Sequence, residues 1–384
     1  MTEQEIVAGH GDIAQASGTL GLNIYAEVEF RDVLQTCFSS SDLGEGPGAV
    51  AWLAGSFFGG DDAIAQLWDN NGRLGLNLYY SLGTLFSFPD LGQGSGAVAW
   101  LTGDFTGSGS HEIAQLWDNG GNLGLNVYRM AGDTVQTVIN SSDLGQGSGA
   151  VAWLTLDFTG SGHTQIAQLW DNGGNLGLNV YGMAGGTVRT LFNSSDLGQG
   201  SGALAWLTGD FSASGVNEIA QLWDNDGKLG LNVYRYRDGA VYTALTSSDL
   251  GQGTGAVAWL TGDFLGRGLT QIAQLWDNDG TLGAVIYGGV NGSVETLFGS
   301  SDLGQGSGAV AWLTGNFIGS GTTEIAQLWD NQGTLSCLLY TFSGGSLQRD
   351  PFTGDLGQGA GALAWLTGNF TGSGLTAIAQ PWAS

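Results

Sequence analysis

The chain has 384 residues, 70 of them glycine and only four proline, and nine Lys and Arg against 35 Asp and Glu leave a net charge of −26. That balance argues against a nucleic-acid partner and against insertion into or docking on an anionic membrane, since both need a cationic face. With 42% hydrophobic residues and 14 Trp, the chain is too apolar to stay disordered, and no apolar run approaches the roughly 18 residues of a membrane helix.

Along the chain, Met1-Thr2-Glu3-Gln4-Glu5 is acidic and lacks the basic and apolar regions of a secretory signal, so the expectation is a cytoplasmic protein or one secreted by a non-classical route. An Ile-Ala-Gln tripeptide at Ile13 and apolar runs Leu20 to Tyr25 and Val33 to Phe38 follow. From there the sequence repeats, with units starting near 49, 97, 150, 203, 256 and 309. Each unit opens on Ala-Trp-Leu, at Trp52, Trp100, Trp153, Trp206, Trp259 and Trp312, and continues with Ile-Ala-Gln and a Leu-rich run ending in Tyr. The unit from Gly149 holds four apolar runs, Ala150 to Leu154, Gln165 to Trp170, Leu176 to Tyr181 and Thr187 to Phe192. They are too short and too poorly periodic for helices, and Asp171-Asn172-Gly173-Gly174-Asn175 between the second and third is hairpin chemistry. The chain ends with Ala364-Trp365-Leu366 and Ile378-Ala379-Gln380. Residues 362–384 together with 12–41 make a seventh, composite unit, with one Ile-Ala-Gln segment to spare and its choice left open. The expected fold is therefore all-β: one domain spanning 1–384, a seven-bladed β-propeller of four antiparallel strands per blade, closed by a blade built from both termini. A solenoid is the alternative, but its ends need atypical capping repeats. Cys37 and Cys337 are read as free thiols.

The segment Gly103-Asp104-Phe105-Thr106-Gly107-Ser108-Gly109, followed by Glu112-Ile113-Ala114, resembles the FG-GAP/VCBS repeat, in which a Gly-Asp-Phe-Asn-Gly-Asp-Gly loop precedes an Asp and an apolar strand. The resemblance covers essentially the whole chain. It implies a seven-bladed propeller like integrin heads and like lectins of the Psathyrella velutina lectin type, which bind sugars in grooves between blades. It also implies a calcium loop, with oxygens at the positions of Asp104, Thr106, Ser108 and Glu112, or of Asp210, Ser212, Ser214 and Glu218. Two carboxylates at best per loop make a poor cage for a hard cation. No metal or other cofactor is expected, with weak calcium binding at the Asp104 or Asp210 loop left open.

Only three histidines occur, His10, His111 and His163, at unmatched positions, and no nucleophile motif or phosphate loop is present. Catalysis needs one asymmetric constellation, whereas this sequence repeats similar residues in every unit. The expectation is thus no enzyme but a multivalent lectin whose partners are glycans or glycoproteins, with neutral sugars such as fucose or N-acetylhexosamines preferred. Its sites would lie between blades on the rim formed by the second turn and the crossing to the next blade. The ligand-binding candidates are Trp68, Asp69, Asn70, Trp117, Asp118, Asn119, Trp170, Asp171, Asn172, Trp223, Asp224, Asn225, Trp276, Asp277, Asn278, Trp329, Asp330 and Asn331, with Gln93, Gln146, Gln199, Gln252, Gln305 and Gln358 of the crossings. Planar carboxylates and amides can pair with vicinal hydroxyls, and an aromatic face packs on a pyranose ring. Whether Trp-Asp-Asn touches ligand or only shapes its turn stays open, as does the oligomeric state. The alternative function is a protein-interaction or adhesion scaffold using the variable loops of the opposite face.

Overall fold

The computed structural model describes residues 20–383 apart from 28–33, 41–42, 44–48, 81–83, 93, 95, 146–148, 199, 201, 254, 305, 307, 350–355 and 358–360. Among the described residues the chain forms 28 strands in seven antiparallel sheets of four, and no helix. It is the all-β seven-bladed propeller that the repeat implies. Blades one to six cover 49–88, 97–141, 150–194, 203–247, 256–300 and 309–349.

Blade three shows how sequence sets the local structure. Its strands are Ala150–Leu156, Gln165–Asn172, Asn175–Ala184 and Thr187–Ser194. The second and third strands are buried on both faces, mostly by apolar residues, because each face presses on a neighbouring blade, while the fourth alternates toward solvent. The first strands of successive blades touch one another around the ring and so line the central channel. Strand pairing runs further into the hairpin than the apolar runs suggest, ending at Asn172 opposite Asn175. Only Gly173 and Gly174 remain as the turn, with φ of 63° and 96°, a two-residue turn whose twist matches that of the strands.

Cores lie between blades. Leu154, Phe158 and Leu178 of blade three pack with Ile219 and Tyr234 of blade four. The Phe of each first loop is a recurrent plug: Phe57, Phe105, Phe158, Phe211, Phe264, Phe317 and Phe370 are all buried. Each contributes about 1.5–3 kcal/mol of burial.

Blade seven runs, from outside inward, Leu34–Ser40, Leu20–Glu27, Ala377–Ala383 and Leu366–Gly368. The C-terminal Ile-Ala-Gln at Ile378 therefore takes the second-strand position, opposite Tyr25; the copy at Ile13 lies outside the described residues. A second device joins the blades at the end of the ring bearing the first loops. Main-chain N–H groups of His111, Thr164, Asn217, Thr270, Thr323, Thr376 and Asp62 donate to the carbonyls of Ser56, Asp104, Asp157, Asp210, Asp263, Asn316 and Asn369 of the preceding blade, at 2.9–3.2 Å. These seven bonds complete the circle. Four joints gain one more: the N–H groups of Asp210, Asp263 and Asn316 donate to the hydroxyls of Thr270, Thr323 and Thr376 at 3.0–3.1 Å, and at the composite blade Asn369 N–H donates to Asp62 Oδ2 at 2.7 Å.

Candidate functional site

Every Trp and Asp of Trp-Asp-Asn, and five of its six Asn, has a structural partner among the described residues. The half-buried indoles of Trp68, Trp117, Trp170, Trp223 and Trp276 cover a glycine of the third strand so closely that a Cβ on Gly75, Gly124, Gly177, Gly230 or Gly283 would lie 2.1–2.2 Å from the ring. In blade six the partner of Trp329 is Ser336, buried, with no partner for its hydroxyl. The Asp carboxylates close the turns: Oδ1 of Asp69, Asp118, Asp171, Asp224, Asp277 and Asp330 accepts the N–H three residues on, at 2.5–2.7 Å. The amides of Asn70, Asn119, Asn172, Asn225 and Asn278 donate to the carbonyls of Pro89, Ser142, Ser195, Ser248 and Ser301, which ties each crossing to its own hairpin; Asn331 ends the second strand of blade six. Of the crossing glutamines, Gln252 is exposed and its carbonyl accepts Gln274 Nε2 at 3.0 Å. Gln93, Gln146, Gln199, Gln305 and Gln358 lie outside the described residues.

The buried Gln of the second strand serves side chains through its oxygen, and in blade five its amide also serves the backbone, at the Gln252 carbonyl. Gln115 Oε1 accepts Asn126 Nδ2 at 3.1 Å and the Tyr128 hydroxyl at 2.9 Å, and Gln168 repeats this with Asn179 and Tyr181. Burial pushes the phenols of Tyr128 and Tyr181 up to about 12, so they remain neutral donors.

The loops that resemble calcium sites are filled by their own groups. Gln165 Nε2 donates to Asp157 Oδ1, Ser161 Oγ and the His163 carbonyl at 3.2, 2.7 and 3.0 Å, so an amide nitrogen stands among the oxygens a cation would use. Gln271 does the same toward Asp263 Oδ1 and the Leu269 carbonyl. In the Asp104 loop both carboxylate oxygens accept main-chain N–H groups, of Ser108 and Gly109, and Glu112 pairs with Arg129 at 2.7 Å. Asp210 likewise accepts Ser214 and Gly215, while Glu218 accepts Phe211 and Ser212. These residues do not fit a resident calcium ion, including at the two loops left open on sequence.

The crossing end is acidic and asymmetric. The six turn aspartates named above are exposed, as are Asp90, Asp143, Asp196, Asp249 and Asp302 of the crossings, and among the described residues only Asp90 and Asp249 of these form ion pairs, with Arg73 and Lys228. Those hydrogen-bonded cations hold both carboxyls below the usual aspartate range. The inner tryptophans differ around the ring: Trp52, Trp100 and Trp153 are buried, whereas Trp206, Trp259, Trp312 and Trp365 are half-buried. A groove of about 500 Å³ opens between blades five and six, with Val257 and Trp259 on one wall, Val310 and Trp312 on the other, and Asp277, Gly306 and Gly308 beside them. A side chain at Gly306 would come within 2.7 Å of Leu282 N, so the bare crossing is pressed onto the hairpin next to the groove. Asp277 is the only titratable group among the lining residues; with Oδ1 held by Gly280 N–H, its second oxygen can accept a donor or act as a base.

No family model matches the chain, and no curated protein matches it. Among solved structures it is similar to a rhamnogalacturonan lyase of Bacillus licheniformis, at 15% identity and a TM-score of 0.49 over 93% of this chain and 79% of that one. It is similar also to an oligogalacturonate lyase of Vibrio parahaemolyticus, at 12% identity and TM-score 0.41 over 96% and 98%, and to an oligogalacturonate lyase in complex with manganese, at 11% and 0.42 over 94% and 91%. The expectation of a lectin without catalytic activity is corrected to this extent: the three propellers named are lyases by name, none of them a lectin or an FG-GAP protein, and the likeness shows the fold alone. At such identities the likeness assigns no residue of this chain a role.

Proposed function

We propose that the chain is a carbohydrate-processing propeller that takes a saccharide in the groove between blades five and six. The groove itself carries the reading. Its volume of about 500 Å³ suits one or two sugar rings. Trp259 and Trp312, one on each wall, offer flat surfaces to the C–H face of a pyranose, and the open oxygen of Asp277 faces hydroxyl donors. A carboxylate so placed serves as the general base toward a water that attacks the anomeric carbon, the glycosidic bond breaking as its leaving oxygen takes a proton from solvent, while the half-buried walls shield the other face of the sugar. The aspartates around the groove repel a uronate polymer, so the saccharide is one without carboxylates.

The test is incubation of the protein with soluble polysaccharides of neutral, amino-sugar and uronate type, reading new reducing ends and ultraviolet absorbance of unsaturated products. Turnover of a polymer without carboxylates is expected, falling by about 100-fold or more in Asp277→Asn, with a weakened KM in Trp259→Ala. Absence of product from every polymer, or full activity in Asp277→Asn, would refute the reading.

A further inference from the structure

The crossing end of the ring carries an apolar feature that takes in the groove walls Val257 and Val310 and continues around the ring past them. Six large aliphatic side chains are exposed among the described residues, and five of them, Val98, Val151, Leu204, Val257 and Val310, occupy one repeat position at 37–48% exposure. That position is the second residue of the innermost strand, next to the point where the crossing enters the blade. Because the innermost strands touch around the ring, the five side chains stand about one mouth of the central channel. Outside this apolar collar lie the eleven exposed aspartates of the turns and crossings, nine of them without an ion-pair partner among the described residues (eleven less Asp90 and Asp249). Three cations reach this end, Arg73 and Lys228 on Asp90 and Asp249 and Arg349 beside Gly304, whereas Arg129 and Arg235 are drawn onto buried Glu112 and Glu218 in the loops of the opposite end.

From this arrangement we infer that the crossing face docks a cationic protein segment that seats aliphatic side chains in the mouth of the channel. Charge decides between occupants. A second copy of the chain would set one ring of aspartates against another, and a phosphate-bearing surface meets the same repulsion. A basic segment gains long-range attraction from the outer aspartates and loses apolar surface to water at the collar, the arrangement of a polar rim around an apolar centre. The collar distinguishes this partner from a cationic polysaccharide, which has no aliphatic side chains to seat.

The experiment is titration calorimetry of the full chain with four probes: an amphipathic peptide of leucine and lysine, its leucine–glutamate counterpart, oligolysine, and a deacetylated amino-sugar oligomer. The leucine–lysine peptide should bind best, about tenfold or more weaker at about 0.5 M salt. Val151→Ser with Leu204→Ser should weaken it about tenfold at either salt, and Asp143→Asn with Asp196→Asn only at low salt. These positions lie outside the groove, so saccharide turnover in the same variants separates failure of the docking face from failure of the groove. Equal binding of oligolysine would remove the role of the collar, equal binding of the glutamate peptide would remove the role of charge, and preference for the amino-sugar oligomer would assign the face to a polysaccharide; each overturns the inference.

Discussion

Glu218 is fully buried, accepts main-chain N–H groups of Phe211 and Ser212, and has the Arg235 guanidinium 3.9 Å away. Burial pushes its carboxyl up from the ordinary glutamate range, with the charge of Asp210 adding to the rise and the hydrogen bonds from Ser212 and Ser214 opposing it. A raised folded-state pKa favours folding below the unfolded value, and that stability is lost as pH rises through the folded value. Blades three and five carry Gln165 and Gln271 at the same position, so an amide is already known to the fold there. Glu218→Gln should therefore match or exceed the native protein near neutral pH by about 1 kcal/mol, with the advantage shrinking as pH falls into the carboxylate range. Thermal denaturation across pH measures this, and an advantage that grows in acid would contradict it. At this scale the sequence showed the turn chemistry of Asp171 and Asn172 plainly. It did not show that Glu and Gln alternate at a buried position, because neither burial nor the reach of Gln165 Nε2 follows from spacing along the chain.

The first loop is the element in which pattern and chemistry part. Its resemblance to a calcium loop is real in length and glycine placement, yet the Asp oxygens are turned onto the loop's own N–H groups, and in blades three and five the amide of Gln165 or Gln271 completes the set. Gln165→Glu would remove that donor and set a second carboxylate beside Asp157. A loss of about 1–3 kcal/mol is expected, recovered in part by added calcium, whereas the native protein should melt at the same temperature with and without a chelator. Equal stability of the variant in both conditions would show that the exchange does not make the loop bind metal. The strands were legible as short apolar runs, but their ends were not. Pairing continues through polar Asn172 and Asn175 because the two-glycine turn fixes the hairpin's twist, a property of backbone dihedrals rather than of hydrophobic pattern.

For the whole ring, blade count, strand count and the composite seventh blade follow from counting repeats. The unequal opening of the grooves does not, since Trp100 and Trp259 share the same local sequence and differ only in their surroundings. Closure rests on the strands of blade seven and on the Asp62–Asn369 joint, the one interblade joint in which a carboxylate of the later blade accepts an N–H of the earlier. Asp62→Ala should lower global stability by about 2 kcal/mol in chemical denaturation, with the gain in amide exchange concentrated in Leu366–Gly368 and Ala377–Ala383. Uniform exchange around the ring would place closure elsewhere.

The seven joints between blades have one further consequence. Their acceptors are main-chain carbonyls, supplied without distinction by Ser56, Asp104 and Asn316, and their donors are main-chain amides of residues as unlike as His111, Asn217 and Thr376. The main-chain half of every joint therefore survives exchange of the residues that supply it, while the side chains of Thr270, Thr323, Thr376 and Asp62 add to four of them. A ring closed mainly through its backbone keeps its outline while the chemistry at its seams differs from blade to blade.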